Sequence, residues 1–163
     1  MELNLNDAIN AHINSELWSA YLFLSMSVNA GSKGFKGVSN WFYAQYQKEL
    51  SDAKKIIDYL HSIENKVYLY PIEGVPTEWD SPLEMFRHKL EHDKKISKLL
   101  QVTATIAEEK KDYLSLDFLT NFAAEQLKEE NVSKEIVTAF EAADGNNCAV
   151  YMLDKELGER KFL

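Results

Sequence analysis

The sequence predicts an all-α fold: a four-helix bundle with a long crossover between the second and third helices, plus a short C-terminal fifth helix. Two observations carry this prediction. Four long segments repeat apolar residues at alternating spacings of three and four, which is typical of the buried face of a bundle helix. The 163 residues also include only six Gly and three Pro, so little interrupts those segments.

The expected helices begin and end at recognisable capping residues. Asn4 or Asn6 can cap the first helix, and Ser81 with Glu84 forms a capping box in front of the third. The Asp-Gly-Asn-Asn run at 144–147 is a strong stop for the fourth helix. In chain order, the expected helices end at about residues 30, 61, 110, 143 and 157; the second begins at Phe35 or Val38 and the fourth at Tyr113 or Ser115. The first, third and fifth begin at about residues 4, 82 and 147.

A long connection, Glu64–Asp80, separates the second and third helices. Its prolines and glycine, and the alternation of Val67 and Leu69, indicate an extended chain. Neighbouring antiparallel helices need only a few linking residues, so this length favours a crossover that climbs the bundle and makes the two helices parallel. We expect residues 1–163 to form one domain with the bundle in residues 4–143, and the last helix to pack on the bundle or on another subunit.

Composition narrows the possible partners and location. The net charge of −8 argues against nucleic-acid binding, which basic surfaces drive. The single cysteine, Cys148, excludes an internal disulfide and fits a reducing compartment. Residues 1–10 show no leader pattern, and no apolar run reaches the roughly 20 residues of a membrane span. We therefore expect a soluble, cytoplasmic protein that contacts neither membrane nor nucleic acid.

Each of the four stripes is apolar at its ends and polar near its middle. On the second helix, Val38 and Phe42 precede Gln45, Glu49 and Asp52, after which the apolar pattern resumes. An unpaired buried carboxylate is costly, so acids one turn apart on a core face need an explanation, and the simplest is a cation between them. The other three helices carry similar residues at their centres: Glu16, Asp93, Glu125, Gln126 and Glu129.

Most of these polar residues form two sets with the same internal spacing. We call them the first triplet, Glu16/Glu49/Asp52, and the second triplet, Asp93/Gln126/Glu129. In each triplet the second residue follows the first by 33 positions and the third follows by three. A chain built from two helix pairs would place the triplets face to face around a metal ion. In the alternative interpretation the acids form a metal-free polar layer paired with Lys48, Lys94 or Lys128.

The order and spacing of these features resemble those of the bacterial non-haem ferritins over nearly the whole chain. The segments that carry the resemblance are SELWSAYLFLSM at 15–26, SNWFYAQYQKEL at 39–50, SPLEMF at 81–86, FLTNFAAEQLKEE at 118–130 and YMLDKELG at 151–158. The resemblance implies a hollow shell of 24 subunits that oxidises Fe(II) with oxygen or peroxide. It also implies a non-haem di-iron centre inside each subunit and storage of an Fe(III) mineral within the shell.

The resemblance assigns roles to individual positions. Glu16 matches a ligand of the first iron and Glu49 matches the carboxylate that bridges the two irons. The second triplet falls at the second-iron positions, and Leu50 stands where a haem-binding relative needs methionine, so we expect no haem. His12 and His92 are not expected to be ligands; we expect His12 to be a surface or cap-region histidine.

Several positions depart from the family pattern. Asp52 stands where the family has histidine, and Asp93 is one methylene shorter than the family's glutamate. A further iron site keeps only Glu125, because Lys48 and Lys128 replace its other acids and should repel iron. These departures concern the same small part of the bundle, so we expect its metal chemistry to be altered.

The departures leave more than one function open. Weakened iron oxidation would use Glu16, Glu49, Asp52 and Glu129. We expect metal binding to persist more surely at Glu49, Gln126 and Glu129 than at Glu16 and Asp52. Alternatively, the chain is a ferroxidase-deficient subunit that builds the shell and nucleates mineral. A DNA-protecting mini-ferritin ranks lower, because it would place its metal ligands between subunits.

Overall fold

A computed structural model describes residues 4–162 of the chain. In that range the chain is entirely helical outside its connections and contains no strand. The helices are α1 (Leu5–Ser32), α2 (Lys36–Ser62), α3 (Pro82–Glu109), α4 (Tyr113–Ala143) and α5 (Asn147–Leu157). The predicted fold class is confirmed, and each helix begins and ends within two residues of the expected position. None of the helices in residues 4–162 is both long and apolar enough to cross a membrane.

Cross-helix hydrogen bonds define how the four long helices run. The Ser27 hydroxyl at the end of α1 reaches Ser39 at the start of α2, so these helices are antiparallel. α3 and α4 form a second antiparallel pair. His12 near the start of α1 contacts Thr103 near the end of α3, at 2.8 Å. Because α1 opposes both α2 and α3, these last two helices are parallel, as the long crossover predicted.

The predicted capping residues begin their helices. Asn4 rather than Asn6 caps α1, and its side-chain oxygen accepts from the Asn6 backbone N–H. Ser81 accepts from the Glu84 backbone N–H at the start of α3, where Pro82 occupies the first turn. These contacts satisfy backbone donors that have no partner within the helix.

Two buried asparagines of α1 hold the crossover between α2 and α3. Asn10 donates to the Lys66 carbonyl at 3.0 Å and accepts from the Tyr68 backbone N–H at 2.7 Å. Asn29, five turns further along α1, accepts from the Trp79 backbone N–H at 3.2 Å. The crossover therefore follows α1 along most of its length, and its extended backbone is satisfied by side chains rather than by a neighbouring strand.

The bundle interior consists of two apolar clusters with a polar layer between them. At one end, aromatic residues dominate: Phe23, Trp41, Phe42, Phe86 and Phe140. At the other, aliphatic residues dominate: Ile9, Ile13, Ile56, Leu60, Ile96 and Leu100. The acidic residues singled out in the sequence lie between the two sets along each helix, so the apolar clusters separate them from both ends of the bundle.

Helix α5 packs on the beginning of α2 within the same chain. Phe35 provides no side-chain cap for α2, and the Asp154 carboxylate of α5 instead accepts from the Val38 backbone N–H at 2.8 Å. Gly37 permits this approach, because a Cβ atom at that position would lie 1.5 Å from the Asp154 carbonyl oxygen. The fifth helix thus caps the second, and one glycine makes the contact possible.

Replacing Gly37 with alanine tests this contact. Alanine should favour the helix by roughly 1 kcal/mol, but the clash with backbone atoms cannot be relieved by rotating a side chain. We expect Gly37→Ala to lower the thermal midpoint and to increase hydrogen exchange in α5. Gly74→Ala, where an added Cβ meets nothing within 4 Å, is the matched control. An unchanged midpoint and unchanged exchange in Gly37→Ala would show that α5 does not need this approach.

Candidate metal centre

The three carboxylates of the first triplet converge in the polar layer. One carboxylate oxygen from each of Glu16, Glu49 and Asp52 lies within 4.8 Å of the other two. All three residues are buried, with 2%, 7% and 8% of their surfaces exposed. Oxygens bound to a hard divalent cation at about 2.0–2.6 Å are separated by distances of this size. The geometry is therefore compatible with a single cation held between α1 and α2.

The electrostatic environment of these acids favours the binding of positive charge. Burial raises the pKa of Glu16 well above its usual value, and the neighbouring Glu49 carboxylate raises it further. Burial also raises the pKa of Glu49. The Glu16 and Glu49 carboxyls are hydrogen-bonded to each other, and in residues 4–162 no lysine or arginine forms an ion pair with either of them. Without a cation the pair favours holding a proton, and a bound metal would replace that proton.

The second triplet surrounds a buried lysine. Lys89 of α3 has a fully buried side chain, and its Nζ lies 2.8 Å from Asp93 Oδ2 and 3.5 Å from Glu129 Oε2. Nζ also donates to Ser133 Oγ at 2.9 Å, and that hydroxyl donates in turn to Asp93 at 2.6 Å. Burial raises the pKa of Asp93, and attraction by Lys89 offsets part of this effect. Both acids of the second triplet therefore already have an internal cation.

A second lysine lies between the triplets. Lys48 Nζ is 2.7 Å from Asp52 Oδ2 and 3.3 Å from Glu129 Oε1. Burial lowers the pKa of Lys48, but attraction by Glu129 and Asp52 outweighs it, and the pKa lies above its usual range. Burial alone would raise the pKa of Glu129, yet attraction by Lys89 and Lys48 lowers it below its usual value. Glu129 is thus held as a carboxylate by two ammonium groups.

Gln45 and Arg160 complete the layer. Gln45 Nε2 donates to Glu49 at 2.7 Å and to Glu129 at 3.0 Å. Arg160, which follows α5, donates to Gln45 Oε1 at 2.8 Å and stacks on Trp41 with 4.1 Å between guanidinium carbon and ring centre. Because arginine only donates, the Gln45 oxygen must face it and the amide N–H groups must face the carboxylates. The C-terminal segment thereby orients a residue next to Glu49.

The remaining predicted site residues lie outside the cluster of the first triplet. Gln126 donates its amide to the Asp93 backbone carbonyl at 3.4 Å. Glu125 is exposed and pairs with Lys128 at 2.9 Å. Lys94 also forms its ion pair at the surface, so of the three lysines considered from the sequence only Lys48 reaches the polar layer.

The two histidines near these acids have structural partners. His12 is buried, its Nε2 lies 2.8 Å from Thr103 Oγ1, and burial lowers its pKa to about 4. The expectation of a surface His12 was wrong, because the histidine packs at the α1–α3 contact. His92 Nε2 lies 2.6 Å from Ser19 Oγ, and burial lowers its pKa to about 4 as well. Neither histidine belongs to the cluster around Glu16.

Comparison with known proteins identifies the family. The ferritin-like domain matches residues 6–143, which includes nearly all of α1 to α4. The chain belongs to the ferritin family. The bacterial non-heme ferritin of Bacteroides fragilis is 36% identical over 96% of this chain and 97% of its own length. That of Staphylococcus aureus is 26% identical over 98% of this chain and 96% of its own.

Solved ferritin structures show the same arrangement of helices. The open pore ferritin from Archaeoglobus fulgidus is 38% identical, with a TM-score of 0.96 over 99% of both chains. An engineered closed form of that ferritin gives the same TM-score and identity over 100% of this chain. The resemblance stated from the sequence is therefore confirmed at the level of family and fold, and membership of the family supports a role in iron storage.

The sequence of this ferritin did not lead us to place Lys89 and Arg160 in the polar layer. Lys89 precedes Asp93 by four positions, as Lys48 precedes Asp52, and this spacing places each lysine beside its acid on one helix. A search for basic residues one turn before each buried acid would have found both. Arg160 lies beyond the last helix, and nothing in its local pattern indicates that it turns inward.

Replacing Glu16 with glutamine tests whether its charge is strained in the metal-free protein. A carboxyl whose folded pKa is raised stabilises the fold at low pH, and stability falls as pH rises above the unfolded value of about 4.5. We expect Glu16→Gln to stabilise the metal-free protein at pH 7.5 by about 1–3 kcal/mol, because a buried carboxyl with a raised pKa costs free energy at this pH and the neutral amide does not. The gain should shrink as pH falls toward 4.5.

Thermal midpoints measured with a chelator across this pH range provide the check. Glu125→Gln removes an exposed acid and should change the midpoint little at any pH. A Glu16→Gln variant that is less stable than the unmodified chain at pH 7.5 would contradict the account.

Replacing Arg160 with alanine tests the role of the C-terminal segment. The variant loses a charged hydrogen bond to Gln45 and the stacking on Trp41, so we expect a loss of roughly 1.5–3 kcal/mol in unfolding free energy. Denaturant unfolding would measure it, with the exposed neighbour Lys161→Ala as control. Equal stability of the two variants would mean that Arg160 contributes nothing to the layer.

Proposed function

We propose that this chain is an iron-storage ferritin subunit that binds Fe(II) at the first triplet and oxidises it slowly. The convergence of Glu16, Glu49 and Asp52 in a buried layer supports this assignment, because no lysine or arginine of the described residues forms an ion pair with Glu16 or Glu49. The iron is substrate and cargo: Fe(II) enters the centre, and Fe(III) is stored as mineral inside a shell of subunits.

The donor set suits a hard or borderline divalent ion. Carboxylate oxygens bind Fe(II), Mn(II) and Mg(II) well, and three of them leave open positions for oxygen on an iron. Asp52 replaces the family's histidine, so the site loses an imidazole that would favour later metals such as zinc. We propose that Glu16, Glu49 and Asp52 hold the ion, with no haem in the protein.

From the sequence we expected metal to bind more surely at Glu49, Gln126 and Glu129 than at Glu16 and Asp52. The charges around the second triplet favour the opposite order. Asp93 and Glu129 are paired with Lys89, and Glu129 is also paired with Lys48. Only the first triplet lacks a full set of internal cations. We therefore propose that metal binds more tightly at Glu16, Glu49 and Asp52 than on the side of the second triplet.

Slow oxidation follows from electron counting. Reduction of one O₂ to H₂O₂ consumes two electrons and two protons, whereas each Fe(II) supplies one electron. Two Fe(II) ions held together deliver both electrons in one event. In this centre Lys89 and Lys48 already neutralise the acids of the second triplet, so a second Fe(II) binds less readily beside the first. We propose weak ferroxidase activity with oxygen or peroxide as oxidant.

The same observation favours a second candidate function. If Lys89 and Lys48 suppress oxidation altogether, the chain serves as a ferroxidase-deficient subunit that forms the shell and supports mineral growth. In both cases we propose a cytoplasmic homo-oligomer of about 24 subunits, the assembly that resemblance to the ferritins implies. Apolar side chains exposed on α5, including Tyr151 and Met152, would then be covered by other subunits.

Aerobic loading with Fe(II) tests this function. We expect the purified protein to elute as a large shell and to accumulate an electron-dense core. Oxygen uptake should be about tenfold or more slower than that of the Bacteroides fragilis ferritin measured alongside, the size of effect that altered neighbours of a metal centre usually produce. Glu49→Gln should weaken anaerobic Fe(II) binding, and Glu125→Gln should not.

Two outcomes would contradict the proposal. A monomer that forms no core would exclude storage in a shell. Oxygen uptake as fast as that of the relative would exclude a weakened centre and leave a subunit that oxidises and stores iron at an ordinary rate.

A further inference from the structure

We propose that the Lys89 ammonium permanently occupies the second cation position of the centre, so that each subunit binds one divalent ion rather than two. The inference rests on the proposed function, because it assumes that the first triplet binds a metal. It goes further by assigning a stoichiometry and by naming the residue that determines it.

The contacts of Lys89 are saturated. An ammonium group has three N–H donors, and Asp93, Ser133 and Glu129 place three oxygens at 2.8, 2.9 and 3.5 Å from Nζ. The Ser133 hydroxyl, which accepts from Lys89, also donates to Asp93, so two of the three oxygens around the ammonium are hydrogen-bonded to each other. A metal ion beside Asp93 and Glu129 would have to displace all three contacts.

The surroundings of Lys89 keep its ammonium in place. Nζ lies 5.4 Å from the centre of the Phe23 ring and 5.6 Å from that of Trp41, and both rings attract a cation. The Lys89 side chain has no exposed surface, so its ammonium lies out of contact with bulk water. A second metal would therefore have to share this pocket with a buried positive charge, which strongly disfavours its binding.

The charges of the layer lead to the same stoichiometry. Three cations, Lys48, Lys89 and Arg160, point into it. Lys55 also reaches Asp52 at 3.4 Å, but it is 62% exposed and its charge is screened by water. In the described residues, the carboxylates that face these cations or one another number five: Glu16, Glu49, Asp52, Asp93 and Glu129. Glu130, with 13% of its side chain exposed, pairs instead with Lys134 and Ser97. Five negative and three positive charges leave a deficit of two, which one divalent ion balances.

The remaining negative charge is located at the first triplet. Glu49 accepts from the neutral Gln45 amide and is hydrogen-bonded to the Glu16 carboxyl, and no lysine or arginine of the described residues forms an ion pair with either acid. Asp52 has Lys48, which it shares with Glu129. The single ion is thus expected between α1 and α2, with Lys89 beside Asp93 and Glu129.

Counting bound Mn(II) under anaerobic conditions tests the proposal. Equilibrium dialysis should give one tightly bound ion per subunit for the unmodified protein. Lys89→Met removes the charge at similar length, frees Asp93 and leaves Glu129 with Lys48 as its one remaining lysine, so we expect a second ion, with its Kd lowered at least 100-fold relative to the unmodified chain. Lys94→Met, on the exposed face of the same helix, should still bind one ion, and Lys89→Arg, which keeps the charge, should also bind one.

The outcomes separate this inference from the proposed function. Two tight ions per subunit in the unmodified protein, or one in Lys89→Met, would overturn the role of Lys89 while leaving a metal-binding ferritin. No ion in the unmodified protein would overturn the proposed function as well. If Lys89→Met does not fold, the electron paramagnetic resonance spectrum of the Mn(II)-loaded unmodified protein decides. An isolated six-line signal supports the inference, and a spin-coupled pair overturns it.

Discussion

The polar layer depends on one constraint: negative charge buried between two apolar clusters must be balanced within a few ångströms. Water cannot screen it, because aromatic residues close one end of the bundle and aliphatic residues close the other. The chain supplies Lys48, Lys89 and Arg160 as internal cations. These cations pair with the acids near Glu129 and leave Glu16 and Glu49 short of positive charge. The negative charge that no internal cation balances is therefore what allows the layer to bind a metal.

This balance connects every helix to the centre. α1 and α2 supply the unbalanced acids, α3 supplies both a cation and an acid, and α4 supplies the acid shared by two lysines. Arg160 beyond α5 orients Gln45, while Asp154 of α5 caps α2. Residues that look like packing elements in isolation therefore set the charge of the site. Burying these acids costs free energy in the metal-free protein, and binding a cation offsets that cost.

Much of this architecture could be predicted from the sequence, because hydrophobic periodicity and capping residues are local signals. They predicted all five helices. The length of the crossover predicted the parallel α2 and α3, and the matched spacing of the acids predicted the convergence of the first triplet. The internal cations could not be assigned in this way. A lysine on a helix can reach either the surface or the core, so Lys48, Lys94 and Lys128 seemed equivalent and Lys89 was overlooked. His12 was misplaced because the sequence does not show which α1 face meets α3.

The most direct measurement is anomalous scattering at the iron edge from crystals soaked anaerobically in Fe(II). The account predicts one peak per subunit, bounded by oxygens of Glu16, Glu49 and Asp52, with Lys89 still bonded to Asp93. A second peak of similar height between Asp93 and Glu129, with the lysine displaced, would contradict it. So would the absence of any iron between carboxylates that remain packed together.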